Sequence, residues 1–416
     1  MLKDELCEKL NKLIDRSARY YGVNYNMPMK FSCGNRFDLL TATINEVAPY
    51  LKGAYLTTKL EFEKEGVKIN NAVLKAGAKV VNVVIEDEIE DTVEFVSKLF
   101  NLPEDTRFIV YSDTRLNLCA SYYASIKQIP LIFIPNSLCT ANFALSENKI
   151  KNGRHLDVVR LAVSRYILID FAYIKKSTAH LSYAYLMSGL SDLVDYRING
   201  VISNKPLDKF SYDLMRECVI KGFNIVSTAP EDRAAELLYN NIIKDLADGF
   251  IKNAYSFTSS AKAGYTLIKD HKKNQVYYQF DMSLKVLALL NTYLEKGAVY
   301  KIPDYNERSI KLSEITGIDQ THFLKNFMLQ RALLKKKDGT LEKVAKGLQE
   351  EVKSFSEKRS KIYNTYLALG GKKDDFVKSK EFITALKYAG DTPNKINAMS
   401  LLREAGILEL IDEETF

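Results

Sequence analysis

Residues 107–136, RFIVYSDTRLNLCASYYASIKQIPLIFIPN, read as a strand, a turn, an amphipathic helix and a second buried strand that stops at a proline. Such a βαβ unit commits this part of the chain to a parallel sheet with right-handed crossovers, because parallel neighbours need a helical return between them. Its turn, Tyr111-Ser112-Asp113-Thr114-Arg115, contains no glycine. Where a turn of this kind receives a pyrophosphate, the phosphate lies against bare backbone N–H groups at a helix start, and glycine permits that approach. The architecture and the turn chemistry therefore point in different directions.

Strand and helix patterns alternate on either side of this unit. Ala54-Tyr55-Leu56 opens a strand, Glu61 to Ala76 has helical spacing, and Lys79 to Ile85 is a β-branched run of the kind buried on both faces of a sheet. A helix over Asp87 to Phe100, strands at Phe108–Val110 and Leu131–Ile134, and a last strand at Tyr166–Asp170 complete the series. Beyond about Lys176 the β-branched runs cease. His180–Asn199, Lys209–Cys218, Ala234–Asn253, Gln275–Leu294 and Glu342–Leu367 all carry helical periodicity, and Lys335–Gly339 reads as an exposed loop. The expected organisation is an α/β domain over residues 1–175, Rossmann-like with a parallel sheet, followed by an all-helical domain over 176–416, with a ligand cleft between them.

Composition narrows the function classes. No run approaches the roughly 20 apolar residues of a membrane span, and the acid-bearing N-terminus MLKDELCEKLNKL is not a secretory signal. The net charge of +7 is diluted over 416 residues, and its basic runs lack interleaved aromatics, which argues against nucleic acid. Five scattered cysteines without a CxxC pair suit a reducing compartment and give no zinc signature. The expectation is a cytoplasmic protein with no membrane or nucleic-acid partner.

Four segments resemble the iron-containing alcohol dehydrogenase and dehydroquinate synthase superfamily, nearest to its glycerol-1-phosphate dehydrogenase branch. The 107–136 unit stands where that family has a GGGS turn. Ile129-Pro130-Leu131-Ile132-Phe133-Ile134-Pro135-Asn136-Ser137-Leu138-Cys139-Thr140 resembles IPxIxVPTxxST, and Ser188-Gly189-Leu190-Ser191-Asp192-Leu193 resembles the SGxGDL helix whose aspartate binds metal. Ile396–Leu402 lies where the branch has its C-terminal arginine-rich and apolar stretch. The resemblance implies a dehydroquinate synthase-like fold, an NAD(P) cofactor, a divalent metal, a small polyol or polyol phosphate as ligand, and a homo-oligomer. The departures are systematic. Ser112-Asp113-Thr114 replaces the glycines, Asn136 replaces a threonine, Ala141 an aspartate, and Asp195 a lysine. Ser259-Ser260-Ala261-Lys262 resembles GSEH and Lys272-Lys273-Asn274-Gln275-Val276 resembles HGEQV, each with lysine for histidine, while His271 lies one position before the second.

Each candidate carries a functional reading beside a structural one. Asp192 is a metal ligand or a hydroxyl acceptor, or else a helix-capping carboxylate at a helix start or bend. Lys262 and Lys272 supply the positive charge that a metal would give an alkoxide, and a proton acceptor, or are two surface lysines among many. His271 is a remaining metal ligand or a loop residue; Asp and one His are too few for a tight transition-metal site. Ser112, Asp113, Thr114 and Arg115 face the cofactor, with Arg115 replacing lost backbone contacts by charge, or Arg115 is merely exposed. Asn136, Ser137 and Thr140 touch ligand at the carboxyl end of the sheet, or serve turn chemistry. Cys139 has no base to activate it and reads as a small buried residue. His155, His180 and His322 have no partner at ligand spacing and read as structural. Two functions follow: a divergent polyol or polyol-phosphate oxidoreductase, or a protein in which both cofactor sites are lost and the cleft binds ligand or does metal-free chemistry.

Overall fold

The computed structural model describes the chain except residues 1, 23–26, 28, 48–50, 86–92, 141–142, 153–154, 203–207, 256–258, 269–274, 297–302, 337, 376–379, 392–395 and 412–416. In chain order the first elements are α1 (Leu2–Tyr21), β1 (Lys30–Cys33), α2 (Arg36–Val47), β2 (Lys52–Thr58), α3 (Lys59–Lys75), β3 (Lys79–Ile85), α4 (Val93–Ser97), β4 (Thr106–Tyr111), α5 (Asn117–Lys127), β5 (Leu131–Phe133), β6 (Glu147–Asn152), β7 (His155–Arg160) and β8 (Tyr166–Ile169). Helices follow: α6 (Ala179–Ile202), α7 (Lys209–Gly222), α8 (Pro230–Tyr255), α9 (Ser260–Tyr265), α10 (Gln275–Lys296), α11 (Tyr305–Thr316), α12 (Gln320–Lys336), α13 (Asp338–Glu357), α14 (Arg359–Ala368), α15 (Lys380–Tyr388) and α16 (Ala398–Glu404). Two compact units result, Met1–Thr178 with Thr228–Ala254, and Ala179–Ser227 with Tyr255–Phe416. Most of α8 thus belongs to the α/β unit, whereas a division at residue 175 puts it with the helices.

The first unit is built on a six-stranded sheet in the order β1-β8-β5-β4-β2-β3, every described pair parallel. One face is a continuous apolar layer of Tyr55, Phe108, Val110, Ile132, Ile134, Tyr166 and Leu168 packed on Leu40, Ile44, Ile69 and Val73 from α2 and α3. Lys79–Ile85 forms its strand but at the sheet's edge, with only Ile85 buried. Its β-branched run serves a half-covered edge and not a central position. β6 and β7 form a separate antiparallel hairpin, an element without a strong apolar alternation to announce it. Cys7 on α1 and Cys33 on β1 are joined by a disulfide with Cα atoms 5.9 Å apart, which corrects the reading of all five cysteines as thiols. Packing of α1 on β1 brings these residues together across 26 positions of sequence. Thiol titration of the unfolded, unreduced protein is expected to find three thiols, Cys119, Cys139 and Cys218; a count of five would remove the bridge.

The second unit contains helices and no strand among its described residues and is organised around α6, whose residues 182–196 are all buried. Toward the C-terminus of the chain lies an ionic network withdrawn from water. Asp391 accepts from Arg308 Nε and Nη2 at 3.0 and 2.6 Å and from Arg403 Nη1 at 2.7 Å. Arg403 also donates to Gln330 and Glu404, and its guanidinium lies 5.0 Å from the Phe327 ring centre. Gly390 makes the approach feasible: a Cβ there would sit 2.5 Å from the backbone of Met399 and Ser400 at the start of α16. Residues 335–339, expected to be a loop, are helical on both sides of residue 337, as α12 ends at Lys336 and α13 begins at Asp338. Lysine is a good helix former, so a basic run alone does not break a helix. The helix expected over Glu342–Leu367 is two helices, α13 and α14, separated at Lys358. No helix among the described residues is long and apolar enough to cross a membrane.

Candidate functional site

In the second unit, Asp192 lies in the interior of α6, not at a helix start, which removes the capping reading of this carboxylate. The small residues before it admit α10 closely. Ser283 Oγ accepts the Ser191 N–H at 3.0 Å and donates to the Ser188 carbonyl at 3.2 Å. Asp192 is 1% exposed, and the Lys262 ammonium stands 3.7 Å from its Oδ2. Lys262 is delivered by α9, whose start is fixed by Ser259 accepting the Lys262 N–H. The neighbouring Asp195, one helical turn along α6, accepts from Ser260 N at 2.6 Å, Ser260 Oγ at 2.8 Å and the Ala398 N–H at 2.6 Å. It ties α9 and α16 to α6, so the Ile396–Leu402 segment frames the Asp192 region through backbone donors. Burial pushes the Asp195 carboxyl up to about 7 against these hydrogen bonds, with the Asp192 charge adding to the rise. Lys272 and His271 lie outside the described residues.

A divalent cation at Asp192 would face the Lys262 ammonium at short range, and among the described residues no group of three His, Cys, Asp or Glu side chains is arranged to hold one. The residues described here do not fit a metal ion at this position.

The 112–115 turn of the first unit is closed by its own side chains. Asp113 Oδ1 accepts the Arg115 N–H at 2.9 Å, and the Arg115 guanidinium grips the same carboxylate through Nε at 3.0 Å and Nη2 at 2.7 Å. The Leu116 N–H donates to the Asp113 carbonyl, and the Asn117 N–H to the Thr114 carbonyl. An internal carboxylate therefore occupies the anion position of the turn and takes the charge of Arg115. The turn does not fit a pyrophosphate. Thr114 begins a short 3-10 turn there and Ser112 is buried at the end of β4. Behind it, the Tyr111 hydroxyl bonds Asn117 and Ser164, each at 2.7 Å, and burial pushes its phenol upward.

The polar loop after β5 is also internally engaged. The Asn136 N–H donates to the Ser112 carbonyl and its carbonyl accepts from Lys175 N; Ser137 Oγ accepts the Cys139 N–H at 3.1 Å. Thr140, fully buried, donates to Asp245 on α8 at 2.8 Å. Cys139 is a buried thiol. The structure thus brings Asp192 to Lys262 and Ser112 to Asn136.

Sequence reasoning missed a buried polar group on the apolar face of the sheet, where the strands end. Tyr55, Thr57, Ser112 and Asp170 continue the alternation that places Val110, Ile132 and Leu168 in the core. Arg36 donates to Asp170 at 2.9 Å and to Glu65 at 2.7 Å, and its guanidinium lies 4.1 Å over the Tyr173 ring. Tyr173 donates to Glu61, which also accepts from Lys175 at 3.2 Å. The signal was present as a change from apolar to polar residues at i+2 in three strands.

No sequence-family profile and no curated protein matches the chain by sequence. Solved structures do match by shape. A probable glycerol dehydrogenase from Sinorhizobium meliloti 1021 superposes with a TM-score of 0.58 at 12% identity, over 94% of this chain and 98% of that one. An iron-containing alcohol dehydrogenase from Thermococcus thioreducens gives 0.56 at 13%, over 92% and 98%. An NADH-dependent butanol dehydrogenase from Thermotoga maritima gives 0.54 at 12%, over 92% and 97%. Over more than nine-tenths of its length, then, this chain has the fold of the iron-containing alcohol dehydrogenases.

Proposed function

We propose that this chain binds a small polyol or polyol phosphate in its second unit, through Asp192 and Lys262 and without a divalent cation. The observation that supports this reading is the Lys262 ammonium held 3.7 Å from a buried carboxylate. A carboxylate accepts a ligand hydroxyl proton, and an ammonium beside it donates to the same ligand oxygen. The pair biases a bound C–OH toward alkoxide character, the charge stabilisation that a Lewis-acidic metal otherwise supplies. Glycerol 1-phosphate is the ligand we propose first, because the SGLSDL and IPLIFIPNSLCT segments resemble the branch that handles it.

A second reading, nicotinamide-dependent oxidoreduction of the same ligand, is favoured by the match to dehydrogenases over 94% of the chain. The Asp113–Arg115 pairing weighs against it. Calorimetric titration with glycerol 1-phosphate and with glycerol separates these ideas when run beside metal analysis and NADH and NADPH fluorescence titrations. Saturable binding is expected in the wild type, falling roughly tenfold or more in Lys262→Met and in Asp192→Asn, the scale of a lost charged hydrogen bond. Stoichiometric bound metal, or nicotinamide binding in the micromolar range, would overturn the metal-free reading in favour of the second.

A further inference from the structure

We infer that the free edge of β3 pairs with the same edge of a second copy of this chain, antiparallel about a two-fold axis at Asn82. The sheet has two edges, and one of them is capped. At β1 the Asn11 side chain donates to the Phe31 carbonyl and accepts the Phe31 N–H, both at 2.9 Å. At the other edge β3 pairs with β2 over all of Lys79–Ile85 in an unbroken register, and among the described residues no further strand joins it. The Lys79 N–H points to the β2 side, donating to the Leu51 carbonyl, so parallel alternation turns the backbone groups of Val80, Asn82 and Val84 outward. Solitary edges are protected by proline, bulges or several charges. β3 has Lys79 alone, with Asn82 set among half-buried valines.

The occupant follows from the sequence of the edge itself. Val80-Val81-Asn82-Val83-Val84 reads the same in both directions, and an isologous interface needs a surface that complements its own copy. In this register Asn82 faces Asn82 of the second copy and Val80 faces its Val84, each pair exchanging both outward backbone hydrogen bonds. Asn82 Oδ1 is buried and has no hydrogen-bond partner among the described residues. On the axis each amide can donate to the other copy's Oδ1, and any slip sets both asparagines against valine, which fixes the register. Charge selects the direction. The sequence continuing from Ile85, Glu86-Asp87-Glu88, is acidic, so antiparallel pairing sets the Lys79 end of each copy against the acid end of the other. Parallel pairing would set lysine against lysine. An unrelated extended peptide would gain nothing from the palindrome or from Asn82. Two edges of seven residues make a small contact, so the dimer is a weak one, dissociating at roughly micromolar concentration.

Sedimentation velocity over a dilution series of the full chain tests this, beside amide hydrogen exchange read by mass spectrometry. A reversible monomer–dimer equilibrium is expected, weakened by salt, with exchange over residues 79–85 slowing as the protein is concentrated. Asn82→Asp sets two carboxylates together on the axis. Val84→Pro deletes an outward N–H that the single chain does not use within its own sheet. Each is expected to raise the dimer dissociation constant by roughly tenfold or more, the scale of a lost hydrogen bond. Circular dichroism and urea unfolding establish that each variant is folded, and Asn82→Asp, which leaves the backbone intact, decides if Val84→Pro is not. A monomer at every concentration, a dimer indifferent to both substitutions, or a dimer whose formation leaves exchange over 79–85 unchanged would each overturn the inference.

Discussion

Asp391→Ala is expected to lower stability by about 3–5 kcal/mol, because it leaves two buried guanidinium groups without their shared carboxylate. Arg308 and Arg403 both close on Asp391, and all three side chains are almost completely withdrawn from water. Exposed ion pairs contribute little, since water solvates the partners nearly as well apart. Here water cannot reach the charges, so removing one partner exposes the full desolvation penalty of the others. Glu409, Glu404 and Gln330 still hold the guanidinium edges, which keeps the loss finite. Asp391→Asn preserves the shape and an acceptor, and is expected to lose less than Asp391→Ala. Urea unfolding followed by circular dichroism measures both, and an Asp391→Ala loss below about 1 kcal/mol would mean the network behaves as a surface one.

Asp195 gives the second large effect, and its sign is set by the direction of its shift. The folded carboxyl is raised to about 7, above the ordinary carboxylate value. Between about pH 4 and about 7 the folded chain therefore holds up to one proton more than the unfolded chain. The stability contributed by this group is fully present below about pH 4 and is lost as pH rises through about 7, at up to about 1.4 kcal/mol per pH unit. The amide in Asp195→Asn does not titrate. The stability of the wild type minus that of Asp195→Asn should thus shrink from about pH 4.5 to about 7 and level off above. A difference that grows toward neutral pH would show the Ser260 and Ala398 donors holding the carboxylate ionised instead. Asp195→Ala should be destabilised at every pH, because those two N–H groups and a hydroxyl lose their acceptor.

Particular residues show how far the site is legible in sequence. Asp192 stands out by its Ser188–Leu193 setting, but its place inside α6 does not, since small residues and an acid also describe a helix start. Lys262 competes with dozens of similar lysines, and sequence alone offers no means of ranking them. Its approach to Asp192 depends on where α9 lies against α6. Asp113 is visibly hostile to phosphate, yet the hold of Arg115 on it needs coordinates, because the pair forms only once the turn sets both side chains on one side. Arg36, Tyr55, Glu61 and Tyr173 escape notice because each is unremarkable locally, and they meet only through parallel pairing of strands far apart in sequence.

By itself the sequence determined the parallel α/β layer and the helical remainder, because period-2 and period-3.6 apolar patterns are local records of which face will be buried. It determined too that the 112–115 turn has no glycine. The tertiary structure alone decided that β3 is an edge, that most of α8 belongs to the α/β unit, that Cys7 meets Cys33, and that Asp391 gathers two arginines. Those outcomes rest on long-range packing, in which the partner of a side chain is chosen by crossover topology and desolvation and not by its neighbours along the chain.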